Sequence, residues 1–275
     1  MIELPETYVL SAQINQQLSG KRVKDVLVNS YPHKFAWYSG DSKNWDKYGY
    51  LTDIYREKLV GKNVTKANPN GGDTEIICED QLLIISTPIK YHEVGKLPAK
   101  HQLLVKFDDN THISCTVQMW GAMLCFSLTD KENSQPPDPL TDAFDEDYFE
   151  TLWTNTKPGL SSKAFLATEQ RIPGLGNGVL QDILFNAKIH PKRKLQTMDD
   201  EDMQDLFSSV KATLKDMKEL GGRDTEKDLF GQNGGYRTIL SKNTISKPCS
   251  VCGWDLIRQA YLGGNIYFCP VCQPL

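Results

Sequence analysis

Apolar and polar positions fall into two regimes along the chain. Between residues 22 and 127 the apolar runs are short: KRVKDVLVNS, DTEIICED, QLLIIST, HQLLVKFDDN, THISCTVQMWG and AMLCFSL, with turn signals such as NPNGGD and DDNT between them. Short β-rich runs punctuated in this way predict a β-sandwich or barrel. Ahead of them, residues 5–18 carry Tyr8, Val9, Ala12 and Leu18 on a helical stripe, with Pro5 placed to start a helix and Gly20 to stop it. Beyond residue 142 the period changes to that of a helix, through DEDYFETLW, LSSKAFLATEQ, NGVLQDILFNAK and DDEDMQDLFSSVKATLKDMKEL. The last and longest sets Met203, Leu206, Phe207, Val210, Leu214 and Met217 on one face. Asp199, Asp200, Glu201 and Asp202 crowd its start, where the helix dipole favours acids, and Gly221-Gly222 ends it. The polar, proline-rich KENSQPPDPLTD between the regimes reads as a linker. The pattern predicts an α+β multidomain chain: an N-terminal helix and β-sandwich over 1–130, a linker at 131–142, a helical domain over 143–244 and a cysteine-bearing hairpin over 245–275.

Composition changes this picture little, and charge changes it more. The net charge of −4 argues by itself against a nucleic-acid binder. The acids, however, are concentrated in EDQ, FDDN, DAFDEDYFE and MDDEDMQD. Between residues 236 and 268 Arg237, Lys242, Lys247 and Arg258 face a single acid, Asp255, and a second basic knot runs from Lys188 to Lys194. A local positive face on an acidic chain suits a polyanion. No apolar run approaches 18 residues and no basic segment leads into an apolar one, so neither a membrane span nor a signal peptide is expected, and a cytoplasmic protein is. Cys78, Cys115 and Cys125 lie in strand-like runs and read as buried thiols in a reducing compartment. The glycine-rich, charged segment 221–238 reads as a mobile, pocket-covering loop that could order on a ligand.

Three motifs carry candidate chemistry. Cys249-Ser-Val-Cys252 and Cys269-Pro-Val-Cys272 lie sixteen residues apart, a spacing that brings four thiolates onto one tetrahedral Zn²⁺; the alternative is four unrelated core cysteines. With all four positions taken by sulfur the ion is structural, and so small a basic hairpin needs it to fold. Arg171-Ile-Pro-Gly-Leu-Gly-Asn177 precedes a helix, where Gly174 and Gly176 let backbone amides approach an anion and Asn177 contacts it. The same turn also fits a plain helix–helix connection with Asn177 as N-cap. MIELPE opens the chain with Glu3 and Glu6, which are either catalytic acids or ordinary acids at a helix start.

Taken together, MIELPE, RIPGLGNGVLQDILFNAKIHP and CSVCGWDLIRQAYLGGNIYFCPVCQ resemble the formamidopyrimidine-DNA glycosylase / endonuclease VIII family, in the same order and over essentially the whole chain. The resemblance implies an N-terminal helix, a β-sandwich, a helix–two-turn–helix and a zinc hairpin. It also implies excision of a flipped, damaged base from duplex DNA, followed by cleavage of the abasic strand. The family's nucleophile is the amine of an N-terminal proline, its acid/base the adjacent glutamate, and its phosphate grips are the glycine turn and a hairpin arginine.

Glu3, Glu6, Gly174, Gly176, Asn177 and the four cysteines match that pattern, and several other positions depart from it. Ile2 replaces the proline, so the free amine belongs to Met1. NPNGGD offers no lysine where the family has one near residues 70–73, the nearest bases being Lys62 and Lys66. Gln118-Met119-Trp120 replaces an intercalating Arg-Arg-Phe, leaving Trp120 as the wedge. The hairpin arginine falls at Gly264, beside Asn265. The resemblance therefore implies a monomer that binds lesion-bearing double-stranded DNA through Gly174, Gly176, Asn177, Trp120, Lys242 and Arg258. Base excision would depend on Glu3, Glu6 or Met1, with weak strand cleavage or none. A catalytically inactive lesion binder is the second reading.

Overall fold

The computed structural model describes residues 2–40, 48–131 and 135–275. These form two compact units, residues 1–134 with 226–233, and residues 135–225 with 234–275.

In the first unit α1 (Leu4–Leu18) precedes two sheets. The strands are β1 (Val23–Val28), β2 (Ala36–Tyr38), β3 (Val64–Asn70), β4 (Asp73–Cys78), β5 (Gln81–Ile85), β6 (Ile89–His92), β7 (Leu103–Phe107), β8 (His112–Cys115) and β9 (Gly121–Ser127). One sheet has the order β1-β7-β8-β6 and the other β2-β9-β5-β4-β3. Both contribute to one core with α1, including Val26, Val105, Ile76, Leu83, Leu10 and Ile14. Cys78, Cys115 and Cys125 are free thiols buried in it. Burial pushes all three well above their ordinary range.

Four details differ from the sequence reading. The buried face of α1 is not Tyr8, Val9 and Ala12 but Leu4, Thr7, Leu10, Ser11, Ile14 and Leu18. A helix, α2 (Tyr48–Leu59), interrupts the strand-like region and packs Leu51, Tyr55 and Leu59 into the core, where the Tyr55 hydroxyl donates to the Met123 carbonyl. NPNGGD is not all turn: Asn70 pairs with Asp73 across a two-residue loop, so its first half completes β3. The exposed edge of β3 is occupied by α1, whose Asn15 donates to the Ala67 carbonyl (2.8 Å) and accepts from the Ala67 amide (2.6 Å). One amide side chain thus does for the edge what a further strand would do.

Segment 221–238 is also not a free loop. Its arms pair Arg223 with Tyr236 and Lys227 with Asn233. Residues 226–233 belong to the first unit, where Leu229 is fully buried, its amide donates to Gln13 (2.9 Å) and its carbonyl accepts from Tyr91 (2.8 Å).

The second unit contains α3 (Glu146–Thr154), α4 (Ser162–Ala167), α5 (Val179–Asn186), α6 (Asp200–Glu219) and the hairpin β10 (Ile257–Tyr261) and β11 (Gly264–Phe268). α6 opens with a reciprocal capping box between Asp199 and Asp202 and closes where the Gly222 amide reaches back to Met217 (2.8 Å). Phe144, Phe149, Phe165 and Phe207 pack ring to ring between α3, α4 and α6. Buried Asp182 accepts from the Ile239 and Leu240 amides (2.9 and 2.8 Å) and so pins the chain after the loop; burial nevertheless pushes its carboxyl up to about 6. Among the described residues no helix is long and apolar enough to cross a membrane. Residues 132–134 of the expected linker lie outside the described residues.

Candidate functional site

The start of α1 is a buried acidic corner. Ile2 is 2% exposed and part of the core, so the residue standing in place of the family's proline serves packing. Met1 lies outside the described residues. Glu3 is the N-cap, extended at φ −121°, and its carbonyl accepts from the Thr7 amide (3.1 Å). Its side chain makes no capping bond, although both Glu3 and Glu6 are buried. The positive end of the α1 dipole still favours an acid at this position.

Thr7 ties this turn to the β3–β4 hairpin, its hydroxyl lying 2.8 Å from the Leu4 carbonyl and 2.9 Å from that of Gly71. Two acids follow on β4. Glu75 is 2% exposed and held by Lys131 (2.7 Å) and Asn70 (2.8 Å). Burial, helped by the Glu75 charge, pushes the Asp73 carboxyl up to about 6. Lys62 is engaged with Asp80, and Lys66 is exposed on β3. The cation that reaches this hairpin is Lys131, which sequence reasoning missed because 56 residues separate it from Glu75.

Asp73 gives a pH test. Its folded-state affinity for a proton exceeds that of the unfolded chain, whose ordinary value is 3.8. Stability should therefore fall as pH rises from about 4 to about 6, by about 1–3 kcal/mol. Asp73→Asn removes that loss. Thermal melts should show the variant more stable than wild type at pH 7.5 and no more stable at pH 3.5.

On the β8–β9 turn, Gln118, Met119 and Trp120 are all exposed.

The second unit holds the glycine turn between α4 and α5. Arg171 closes α4, donating to the Ala164 and Thr168 carbonyls (3.2 and 3.1 Å). Gly174 sits at φ +74°, which a side chain would strain, and its amide donates to Gln170 Oε1 (3.3 Å). Gly174 and Gly176 are buried and Asn177 is exposed. Asn177 is not the N-cap: α5 begins after Gly178 with no side-chain cap. Its Nδ2 instead donates to the Asn265 carbonyl on β11 (2.9 Å), joined there by Gln181 (3.1 Å), whose Oε1 accepts from the Tyr267 amide (3.0 Å). A Cβ at Gly264 would lie 3.2 Å from Asn177 Oδ1, so the glycine in place of the family's arginine lets the hairpin press onto the turn. The guanidinium comes from the neighbouring strand: exposed Arg258 donates through Nε to Asn265 Oδ1 (3.2 Å). Asn177 and Arg258 thus meet on the two sides of Asn265. Lys242 is exposed in the turns after Leu240.

Cys249, Cys252, Cys269 and Cys272 place their sulfurs within 4.8 Å of one another, with Cys249–Cys272 at 3.8 Å and Cys252–Cys269 at 3.4 Å. Metal–sulfur bonds of about 2.3 Å in a tetrahedron require sulfurs about 3.8 Å apart, so the donor set fits one thiophilic ion. The hairpin is fastened to its own unit by Lys163 donating to the Tyr261 carbonyl (2.6 Å), Gln273 donating to the Ile189 carbonyl (2.9 Å) and the His190 ring on Phe268 (centroids 4.4 Å apart).

Residues 136–228 match the H2TH domain of formamidopyrimidine-DNA glycosylase. Over 99% of its length the chain is 28% identical to the whole formamidopyrimidine-DNA glycosylase of Wolbachia pipientis wMel. Over its full length it is 24% identical to 99% of the one from Bacillus cereus (strain ATCC 10987 / NRS 248). The chain carries the H2TH domain of formamidopyrimidine-DNA glycosylase and is similar to such enzymes from end to end. Solved structures of family members share the fold. The Lactococcus lactis enzyme in complex with DNA containing an abasic site superposes with a TM-score of 0.81 at 22% identity, covering 99% of this chain and all of that one. The Thermus thermophilus enzyme gives 0.79 at 20% identity, covering 98% of both. In this chain Glu3 and Glu6 are buried, the four cysteines cluster, and position 2 holds a core isoleucine.

Proposed function

We propose that the protein is a base-excision DNA glycosylase that binds double-stranded DNA carrying a lesion and releases the damaged base. The observation that carries this reading is Glu3: it is a buried acid at the head of α1, in a chain similar end to end to glycosylases, one of them solved on abasic DNA. In the proposed step, water attacks the sugar C1′ as the bond to the base breaks. Glu3 stabilises the developing cation, takes the water proton and returns it to the departing base. With Ile2 committed to the core no secondary amine is available at the family position, so base release outpaces strand cleavage.

The second unit supplies the phosphate grip, from Asn177, the turn at Gly174 and Gly176, Arg258 and Lys242, and Trp120 of the first unit enters the base stack. One Zn²⁺ on the four cysteines is structural, since sulfur closes its coordination sphere. The protein acts as a monomer in the cytoplasm, on the nucleoid if the cell is bacterial.

The test is a panel of duplexes with oxidised, ring-opened, alkylated, uracil and abasic sites. Free base with an intact strand is the expected product; tight binding to every duplex with no product overturns the reading. Affinity should fall steeply with salt, and Arg258→Ala should reduce the log–log salt slope by about one, as loss of a single phosphate contact does. An unchanged slope would remove Arg258 from the interface.

A further inference from the structure

The charge balance around Glu3 sorts among lesions. The Glu3 carbonyl accepts from the Thr7 amide, and the Thr7 hydroxyl lies 2.9 Å from the Gly71 carbonyl. The tip of the β3–β4 hairpin is thereby held about one helical turn from Glu3. Side chains alternate between the faces of a strand, so Asp73 and Glu75 leave β4 together, while Ile76 turns into the core.

The two acids of β4 are not equally matched. Glu75 is satisfied on both oxygens, by Lys131 Nζ on Oε2 (2.7 Å) and by Asn70 Nδ2 on Oε1 (2.8 Å). Lys62 is engaged with Asp80. Asp73 is half-buried and forms no ion pair with any described residue. Burial and the Glu75 charge push its carboxyl up to about 6, as happens to an anion with no cation beside it. It is still ionised at neutral pH, and a positive group brought next to it would be attracted.

We infer that this corner selects a positively charged base, a purine alkylated on its imidazole ring, over neutral oxidised bases. The inference rests on the glycosylase reading and narrows its substrate. Asp73 is the specificity-determining residue, acting through its charge on the flipped base. The chemistry suits the rest of the site. As water attacks C1′, the electron pair of the breaking glycosidic bond passes to the ring, which departs neutral. Glu3 takes the water proton and need not return it. Such a base requires no amine nucleophile, and the core isoleucine at position 2 supplies no proline amine.

Two duplexes separate charge from shape. One carries the 2′-fluoroarabino nucleoside of 7-methylguanine, cationic and resistant to hydrolysis; the other carries 7-methyl-7-deazaguanine, its neutral counterpart. Wild type should bind the first about tenfold more tightly at pH 7.5, as one partly screened charge pair gives. Asp73→Asn, expected above to be more stable than wild type at this pH, should bring the two affinities together, and Asp73→Glu should keep them apart. On ordinary deoxynucleotide duplexes, 7-methylguanine should be released above its spontaneous rate and faster than 8-oxoguanine. Equal wild-type affinities, a preference that survives Asp73→Asn, or release of neutral bases alone overturns the inference and leaves the glycosylase reading standing. Release of no base from any lesion sinks both.

Discussion

Exchange of Glu3 for glutamine should slow base release by about two to four orders of magnitude, the range that a positioned acid/base group supplies. Affinity for the same lesion duplex should stay within about twofold, because the substitution keeps the volume and hydrogen-bonding reach and removes only the charge. Burial is what makes the charge matter: at 7% exposure the carboxylate faces little competing water, so its field on the sugar is weakly screened. The measurement is single-turnover release of base at saturating protein, with borohydride trapping run in parallel. No covalent adduct is expected, since Ile2 occupies the proline position with its side chain in the core. A rate unchanged in Glu3→Gln would move the proton transfer elsewhere. The next candidate is Asp73, whose hairpin Thr7 ties to the same helix turn and whose carboxyl burial pushes up to about 6.

What the sequence disclosed and what it hid divide along a physical line. The cysteine pairs, the glycine turn and the capping acids of α6 act through near neighbours, so their spacing is readable. Most strands were legible because their runs are apolar and bounded by turns. α1 was found but turned wrongly, because it buries Glu6, Thr7 and Ser11, which a hydrophobic count scores as solvent-facing. α2 was missed because Leu51, Tyr55 and Leu59, the apolar residues it buries among those described, lie in an otherwise polar segment. Lys131 on Glu75 and Arg258 on Asn265 each depend on chain pairing that no local pattern encodes. Segment 221–238 looked mobile because its composition is glycine-rich and charged. Its order comes from paired arms and from a single buried leucine, Leu229.

Removal of the metal should unfold the β10–β11 hairpin and weaken lesion-duplex binding by at least about tenfold, while the first unit keeps its structure. Apart from the cysteines, the hairpin is held by buried Ile266 and Phe268 of β11 and by the bonds from Lys163, Gln181 and Gln273. β10 is exposed along almost its whole length, and among the described residues the apolar cluster around the cysteines has Phe185 and Leu240 as its buried carbon side chains. A two-stranded hairpin of this size is marginal in water, whereas a closed thiolate site contributes about 10–16 kcal/mol to folding. The effect reaches DNA through Asn265. When β11 unfolds, Asn177 and Gln181 lose the carbonyl that positions them, and Arg258 loses the Asn265 side chain that orients its guanidinium. Metal analysis should find one zinc per chain. Hydrogen exchange after chelation should show residues 249–272 losing protection while the amides of β5 and β9 keep theirs, and Cys249→Ser should reproduce the pattern. Metal-free protein that retained both hairpin protection and full affinity would show that the docking bonds from Lys163, Gln181 and Gln273 suffice without an ion.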